Sequence, residues 1–307
     1  MPTLTERLAR RLRPTDDGGR RPRPLVQMLL YSVLALAGLT MVIPFLWMIV
    51  TSLRPEAQLF DASAGWLPRE LNWGNYLTAW QRASFSHYAL NTAVYAVAST
   101  AGQVLFGAMA GYAFARLQFP GRNLLFVLVL ATMMIPFQML LVPLFVMLRH
   151  WPLAGGNDWL GGGGIGLVDS LPGLILPNLV TPFGIFLMRQ FTLSLPGELA
   201  DAARIDGAGE TQIFFQIMLP LTRPALVTLA IFAFQEAWND FTWPLVISTT
   251  AQSRTLQLGL QVFQDQTLTE WGPLMAGTAI TILPLIVIFI IGQRYFVEGI
   301  ALTGTKG

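Results

Sequence analysis

The chain has 307 residues, of which 53% are hydrophobic and only 12% charged, and its net charge is +2. A soluble globular domain usually carries about 25% charged residues, so this composition indicates a polytopic membrane protein and does not suggest a nucleic-acid binder. The absence of cysteine excludes disulfides, thiol catalysis and thiolate metal sites. Two histidines far apart in sequence do not suggest a metal site.

The first 25 residues are rich in arginine and proline, and we interpret residues 1–25 as a cytoplasmic tail. The apolar run that follows them is too long for a cleavable signal peptide. We therefore expect a transmembrane domain over residues 26–307.

Six apolar runs follow, each long enough to cross a bilayer core, which takes roughly 20 residues. The predicted spans are 26–50, 88–114, 124–148, 171–190, 223–247 and 273–296. The expected fold is all-α, with six transmembrane helices. If the N-terminus is inside, fourteen of the nineteen Arg and Lys residues flank the cytoplasmic side, which predicts that both termini are cytoplasmic.

The outward loops differ in character. Residues 51–87 contain three tryptophans, which is typical of a stretch lying along the membrane interface. Residues 149–170 contain "GGGGIG", a formal match to a dinucleotide fingerprint, but no strand is predicted before it. We interpret that segment as a flexible external linker.

Familiar catalytic motifs are missing. There is no G-x-x-x-x-G-K-[ST] loop, and the only lysine is Lys306, so this chain is not expected to hydrolyse ATP by the usual route. H-E-x-x-H and G-x-S-x-G are absent too. No catalytic or metal-binding residue is predicted.

A polar loop, residues 192–222, interrupts the apolar sequence with "DAARIDGAG" (201–209). Ser194 is the candidate N-cap of a first helix with Pro196 in its first turn, and Gly207 can adopt the left-handed conformation that ends it. A second helix is expected from about 209 to 219, closed by Pro220. Helical spacing places two sets of residues on two faces of the first helix: Leu199, Ala202, Ala203 and Asp206 on one, Glu198, Asp201 and Ile205 on the other.

The polar loop could lie in the lipid headgroups or bind a protein partner. An amphipathic hairpin in the lipid headgroups is normally rich in Lys and Arg. This loop instead carries four acids and one arginine: Glu198, Asp201, Asp206, Glu210 and Arg204. The charge therefore favours a cytoplasmic protein partner.

Span five contains the possible substrate path, formed by Glu236, Trp238, Asn239 and Asp240. Glu236 and Asp240 are four residues apart and share a helix face, and charges at membrane depth usually face a cavity or a partner. Alternatively, the tryptophan marks the outer interface and the acids reach water. Lone polar residues in the other spans are expected to form interhelical hydrogen bonds: Gln103, Gln138 and Asn178.

The stretch "DAARIDGAGETQIFFQIMLP" (201–220) resembles the EAA loop of ABC importer permeases. The positions on the family pattern are Asp201, Ala202, Ala203, Gly207, Ile217, Leu219 and Pro220, with every spacing kept. The departure is Asp201, where the family usually has Glu. Further stretches, including "GYAFARLQFPGRNLLF" and "WNDFTWPL", resemble the carbohydrate branch, specifically the second permease of maltose-type systems.

The resemblance implies a type I importer permease fold and a role as half of a translocation path for a sugar, a di- or oligosaccharide. It implies as partners a second permease, two cytoplasmic ATP-binding subunits and an extracytoplasmic solute-binding protein. No cofactor is expected in this chain, because ATP and Mg would be held by the ATPase subunits. The residues expected to couple this chain to the ATPase are the seven positions on the family pattern, from Asp201 to Pro220, together with Glu198, Arg204 and Asp206. A polyol or glycerol-phosphate permease and an ion-coupled carrier are the alternatives.

Overall fold

The computed structural model describes residues 24–61, 65–82, 84–264 and 269–304. The chain divides into two compact units, 1–48 and 49–307. The described part of the first unit belongs to helix α1 (Pro24–Ser52), whose apolar side chains are mostly exposed, as lipid immersion requires. Apart from residues 24 and 25, the tail predicted for 1–25 lies outside the described residues.

The described part of the second unit is helical, with one isolated β-bridge between Gln264 and Thr269. Its α-helices are α2 (Gly74–Arg82), α3 (Phe85–Arg116), α4 (Arg122–Thr132), α5 (Phe137–Arg149), α6 (Leu171–Ile175), α7 (Pro182–Ser194), α8 (Glu198–Ile205), α9 (Glu210–Leu221), α10 (Arg223–Asn239), α11 (Thr242–Ile247), α12 (Leu256–Gly259) and α13 (Trp271–Gly304). Helix α9 is π-helical over Ile213–Met218. The predicted all-α class is confirmed.

Within the described ranges, three helical segments are long and apolar enough to cross a membrane alone: Gln27–Ser52, Phe85–Arg116 and Trp271–Gln293. Up to three further spans are bent helix pairs: α4 with α5 (102°), Leu171–Asn178 with α7 (41°), and α9 with α10 (77°). Three to six membrane-crossing elements fit the predicted six-span fold.

Each of the spans predicted over 124–148, 171–190 and 223–247 contains a break in its helix. The first break is at Pro136, which lies between α4 and α5. Proline interrupts a helix because it lacks an N–H and clashes with the carbonyl four residues earlier. Thr181 and Pro182 start α7 anew: the Thr181 hydroxyl accepts a hydrogen bond from the Gly184 N–H at 3.3 Å. The third break, at Asp240, separates α10 from α11.

Helices α3 and α7 pack closely because α3 presents glycines to α7. A Cβ on Gly107 would lie 3.3 Å from the Gly184 carbonyl carbon, and one on Gly111 would lie 2.8 Å from the Arg189 nitrogen. Small residues allow backbones to approach closely in membrane helix pairs. Spans two and four are therefore packed backbone to backbone.

Candidate functional site

A cavity of about 890 Å³ opens where the broken spans lose their helical structure. Its wall includes most, though not all, of the residues in 132–137, 177–183 and 236–242, together with residues from α3 and α5. Non-helical backbone at membrane depth is tolerated where it lines a cavity or is buried in protein. The breaks and the cavity are thus parts of one feature.

Asp240 is held in the cavity wall by a network that joins spans two, four and five. The Tyr95 hydroxyl donates to Asp240 Oδ2 at 2.7 Å, and Asn178 Nδ2 donates to the Tyr95 Oη at 3.0 Å. The Trp243 backbone N–H donates to Asp240 Oδ1 at 3.2 Å, so this carboxylate also caps α11. Asp240 is therefore tied to the scaffold.

Glu236, one helical turn before Asp240, lines the cavity and has no hydrogen-bond or ion-pair partner among the described residues. Asn239 lines the cavity as well, and none of the lining residues is Lys, Arg or His. The cavity therefore presents carboxylates and amides set among aromatic and aliphatic side chains. This surface can hydrogen-bond hydroxyl groups, while its charge repels anions.

Trp238, the fourth residue predicted for the substrate path, does not line the cavity. It is buried, its Nε1 donates to the Thr281 carbonyl at 3.0 Å, and its ring stacks on Phe234. Trp238 therefore packs span five against α13 and is not part of the cavity wall, contrary to the prediction.

The lone polar residues of the spans have two kinds of environment. Gln103 Oε1 accepts from the Thr181 hydroxyl at 3.0 Å. Asn178 bonds to Tyr95 as described, so both form the expected interhelical hydrogen bonds, and both also line the cavity. Gln138 is exposed.

The polar loop begins differently from its prediction. Ser194 is the last residue of α7, and its hydroxyl donates to the Phe191 carbonyl at 2.7 Å, so it is not the N-cap of α8. Gly197 takes that position, and Pro196 precedes the helix. The two helices on either side of the corner at Gly207 are present as expected.

Gly207 forms that corner with φ +83°. Its N–H donates to the Arg204 carbonyl and the Ala208 N–H to the Ala203 carbonyl, which is the Schellman pattern that ends a helix. The predicted left-handed conformation of Gly207 is confirmed. Pro220 lies in the last turn of α9, near the end of that helix as predicted.

Of the residues grouped on the two predicted faces of α8, only Ala203 is buried. The buried side chains of α8 are Ala200 and Ala203, which pack against Ile213 and Phe214 of α9. The other predicted members of the Ala203 face are exposed, together with Glu198, Asp201 and Ile205: Leu199, Ala202 and Asp206. Because α9 covers only a narrow stripe, most of α8 projects outward. In α9, Ile217, Leu219 and Pro220 are half-buried.

A chain of charged and polar groups crosses the polar loop. Arg204 Nη1 donates to Asp201 Oδ1 and Arg204 Nε to Glu210 Oε1, both at 2.7 Å. The Tyr112 hydroxyl of α3 donates to Glu210 Oε2, also at 2.7 Å. Sequence reasoning missed Tyr112, since no local pattern links residues so far apart.

Two arginines join the ends of α3 and α7 beside this loop. Arg116 Nη2 donates to the Thr192 carbonyl at 2.8 Å, and Arg189 Nε donates to the Phe114 carbonyl at 3.3 Å. Each cation thereby binds carbonyls near the C-terminus of the other helix, where the helix dipole favours positive charge.

The glycine-rich segment between α5 and α6 is tightly folded, which corrects its interpretation as a flexible linker. A Cβ on Gly161 would lie 2.1 Å from the His150 carbonyl oxygen, and one on Gly166 would lie 2.2 Å from that of Leu148. Asp158 Oδ1 accepts from the backbone N–H groups of Leu160 and Gly162. Glycine is required here because the backbone segments touch.

Asp169 fastens this segment to the loop after α11. It accepts hydrogen bonds from the backbone N–H groups of Thr249 and Thr250 and from the hydroxyls of Thr250 and Ser253. Although desolvation raises the pKa of the Asp169 carboxyl, the Ser253 and Thr250 bonds outweigh it and hold that pKa below its usual value.

Taken together, helices that break around a cavity with carboxylates in its wall and a charged loop packed on the span ends define a membrane transport component. Residues 103–301 match the family described as "binding-protein-dependent transport system inner membrane component". The chain belongs to this family. It is a multi-pass permease subunit of an ABC importer, located in the cytoplasmic membrane, and is not an enzyme.

Curated relatives cover nearly the whole chain. The arabinooligosaccharides transport system permease protein AraQ of Halalkalibacterium halodurans is 35% identical, covering 94% of this chain and 99% of that protein. The diacetylchitobiose uptake system permease protein NgcG of Streptomyces coelicolor is 31% identical over 86% of this chain and 84% of its own length. The sn-glycerol-3-phosphate transport system permease protein UgpE of Yersinia pestis is 30% identical over 87% and 93%.

A solved structure shares the fold. A chain of a bacterial ABC transporter involved in the import of the acidic polysaccharide alginate superposes with a TM-score of 0.73 at 21% identity, covering 96% of this chain and 99% of that one.

Proposed function

We propose that this permease forms half of the translocation path for a neutral di- or oligosaccharide. The observation that carries the proposal is a cavity whose lining residues include no Lys, Arg or His and whose Glu236 carboxylate has no partner in the described part of the chain. The names of the arabinooligosaccharide and diacetylchitobiose relatives support the same substrate class.

A glycerol-phosphate substrate is the second candidate, because a relative of that name matches most of the chain. A phosphate ester would place negative charge beside Glu236 and Asp240 without a cation among the lining residues. Phosphate sites usually contain Arg, Lys or backbone N–H donors. The cavity chemistry therefore disfavours this candidate, and an ion-coupled carrier does not explain the family match.

The polar loop is proposed to lie on the cytoplasmic side, with both chain termini, and to dock through α8 on an ATP-binding subunit. Its outward surface consists of the small Ala202, the apolar Leu199 and Ile205, and the acids Glu198 and Asp201. Small and apolar residues permit close approach, and charges orient the contact.

The proposed complex contains a second, similar permease, two ATP-binding subunits and an extracytoplasmic solute-binding protein. ATP and Mg would be held by the ATP-binding subunits, and this chain would contribute no cofactor site. In this arrangement the cavity is completed by the second permease.

Uptake by the reconstituted complex tests the substrate class. Proteoliposomes with ATP inside and the binding protein outside should accumulate a radiolabelled neutral oligosaccharide, and Glu236→Gln should alter its KM. Accumulation of sn-glycerol-3-phosphate in place of sugars would contradict the proposal.

Photo-crosslinking tests the docking and its side. The chain has no cysteine, so a photo-crosslinker can be attached at a single Ala202→Cys or, as the control, at Leu160→Cys in the glycine-rich segment. Ala202→Cys should capture the ATP-binding subunit and Leu160→Cys should not. Capture from Leu160→Cys alone would reverse the proposed orientation.

A further inference from the structure

We infer that Glu210 is a positioning residue that links the ATPase-docking helix α8 directly to span two. The inference rests on the proposed function, since it requires α8 to be the docking helix. Glu210 has one carboxylate oxygen for each side of the link: Oε1 accepts from Arg204 of α8 and Oε2 accepts from Tyr112 of α3.

The link reaches the exposed surface at one end and a buried helix at the other. Asp201, whose side chain is 69% exposed, is held by Arg204. At the other end Tyr112 is 5% exposed, and its ring lies 5.2 Å from that of Phe214. A displacement of the Asp201 surface is therefore transmitted through three short hydrogen bonds into α3.

The backbone route from α8 into the membrane is less direct. The corner at Gly207 and Gly209 has open space where a Cβ would be at either glycine, so the angle between α8 and α9 depends on the packing of Ala200 and Ala203 against Ile213 and Phe214. Helix α9 then becomes π-helical at Ile213–Met218 and bends by 77° before α10. Such irregular turns are frequent at functional sites. The side-chain link is the shorter and more sharply defined connection.

Folding stability alone does not account for this arrangement. The two ion pairs of Arg204 are substantially exposed, and exposed ion pairs contribute little to stability. Their geometry instead fixes where the Asp201 carboxylate points and how α8 is set against α3. Arg116 and Arg189 continue this connection into α7.

The test measures sugar transported per ATP hydrolysed in proteoliposomes of the full complex, for Tyr112→Phe and Glu210→Gln. Tyr112→Phe removes only the hydroxyl and keeps the ring against Phe214. Tyr88→Phe is the matched control, because Tyr88 is also buried on α3 but lies outside the link. Both link variants should reduce the transport ratio about tenfold, the effect expected from losing one hydrogen bond to a charged group, and Tyr88→Phe should not.

Photo-crosslinking from Ala202→Cys, combined with each link variant, separates this inference from docking itself. The link is supported if crosslinking and ATP hydrolysis are retained while less sugar is transported per ATP hydrolysed. The variant that combines Tyr112→Phe with Glu210→Gln should be no worse than Glu210→Gln alone. An unchanged ratio with crosslinking intact overturns the link while leaving docking in place. A parallel loss of crosslinking, hydrolysis and uptake would show a merely structural role. No crosslinking with Tyr112 and Glu210 intact contradicts docking, and the inference falls with it.

Discussion

Replacing Gly111 by alanine tests the close packing of α3 on α7. The added Cβ would lie 2.6 Å from Met188 Cβ, 2.8 Å from the Arg189 backbone nitrogen and 2.9 Å from the Met188 carbonyl carbon. Ordinary carbon contacts are about 3.5–4.0 Å, so the methyl is roughly 1 Å too close. Backbone atoms cannot rotate away, and the two helices must separate.

Two effects oppose each other in this variant. Overpacking costs about 1–3 kcal/mol, while alanine gains about 1 kcal/mol over glycine inside a helix. Gly38→Ala is the matched control, because nothing lies within 4 Å of a Cβ there and only the helix-propensity gain remains.

Thermal unfolding of the detergent-purified complex, followed by size-exclusion chromatography after heating, compares the two variants. Gly111→Ala should melt several degrees below Gly38→Ala, since about 1 kcal/mol shifts Tm by about 2–4 °C in a chain of 150–250 residues. Equal melting of the two variants would refute the backbone-to-backbone packing of α3 and α7.

Three further predictions concern the loops. Gly207→Pro should abolish ATP-driven uptake while the chain still inserts, because proline cannot adopt φ +83°; normal uptake would refute the corner, and Gly209→Ala should retain most uptake. Asp201→Glu should transport nearly as well as the native chain, because the longer arm still reaches Arg204; a severe loss would show that the shorter arm is required. Asp169→Asn should speed limited proteolysis of the loop around Thr250, since a neutral amide oxygen is a weaker acceptor for its bonds; unchanged cleavage would show that this contact does not hold the loop.

Local sequence patterns predicted the helical class and the corner, because hydropathy and a left-handed glycine are properties of short segments. The breaks at Pro136 and Asp240 were missed. Hydropathy continues across them, and only the cavity shows what the irregular backbone faces.

The candidate site was predictable only in part, for the same reason. Glu236, Asn239 and Asp240 were found from helical spacing, but that spacing also included Trp238, whose environment is set by α13. The bond between Tyr112 and Glu210 joins residues 98 positions apart. No pattern in one sequence indicates such a contact, and the same holds for the hydrogen bonds of Asp169.

Transport by the reconstituted complex tests the central claim most directly. Proteoliposomes containing both permeases and both ATP-binding subunits are supplied with a labelled neutral oligosaccharide and the solute-binding protein. The account predicts accumulation that requires both internal ATP and the binding protein. Equal uptake without ATP, or uptake driven by an ion gradient alone, would contradict it.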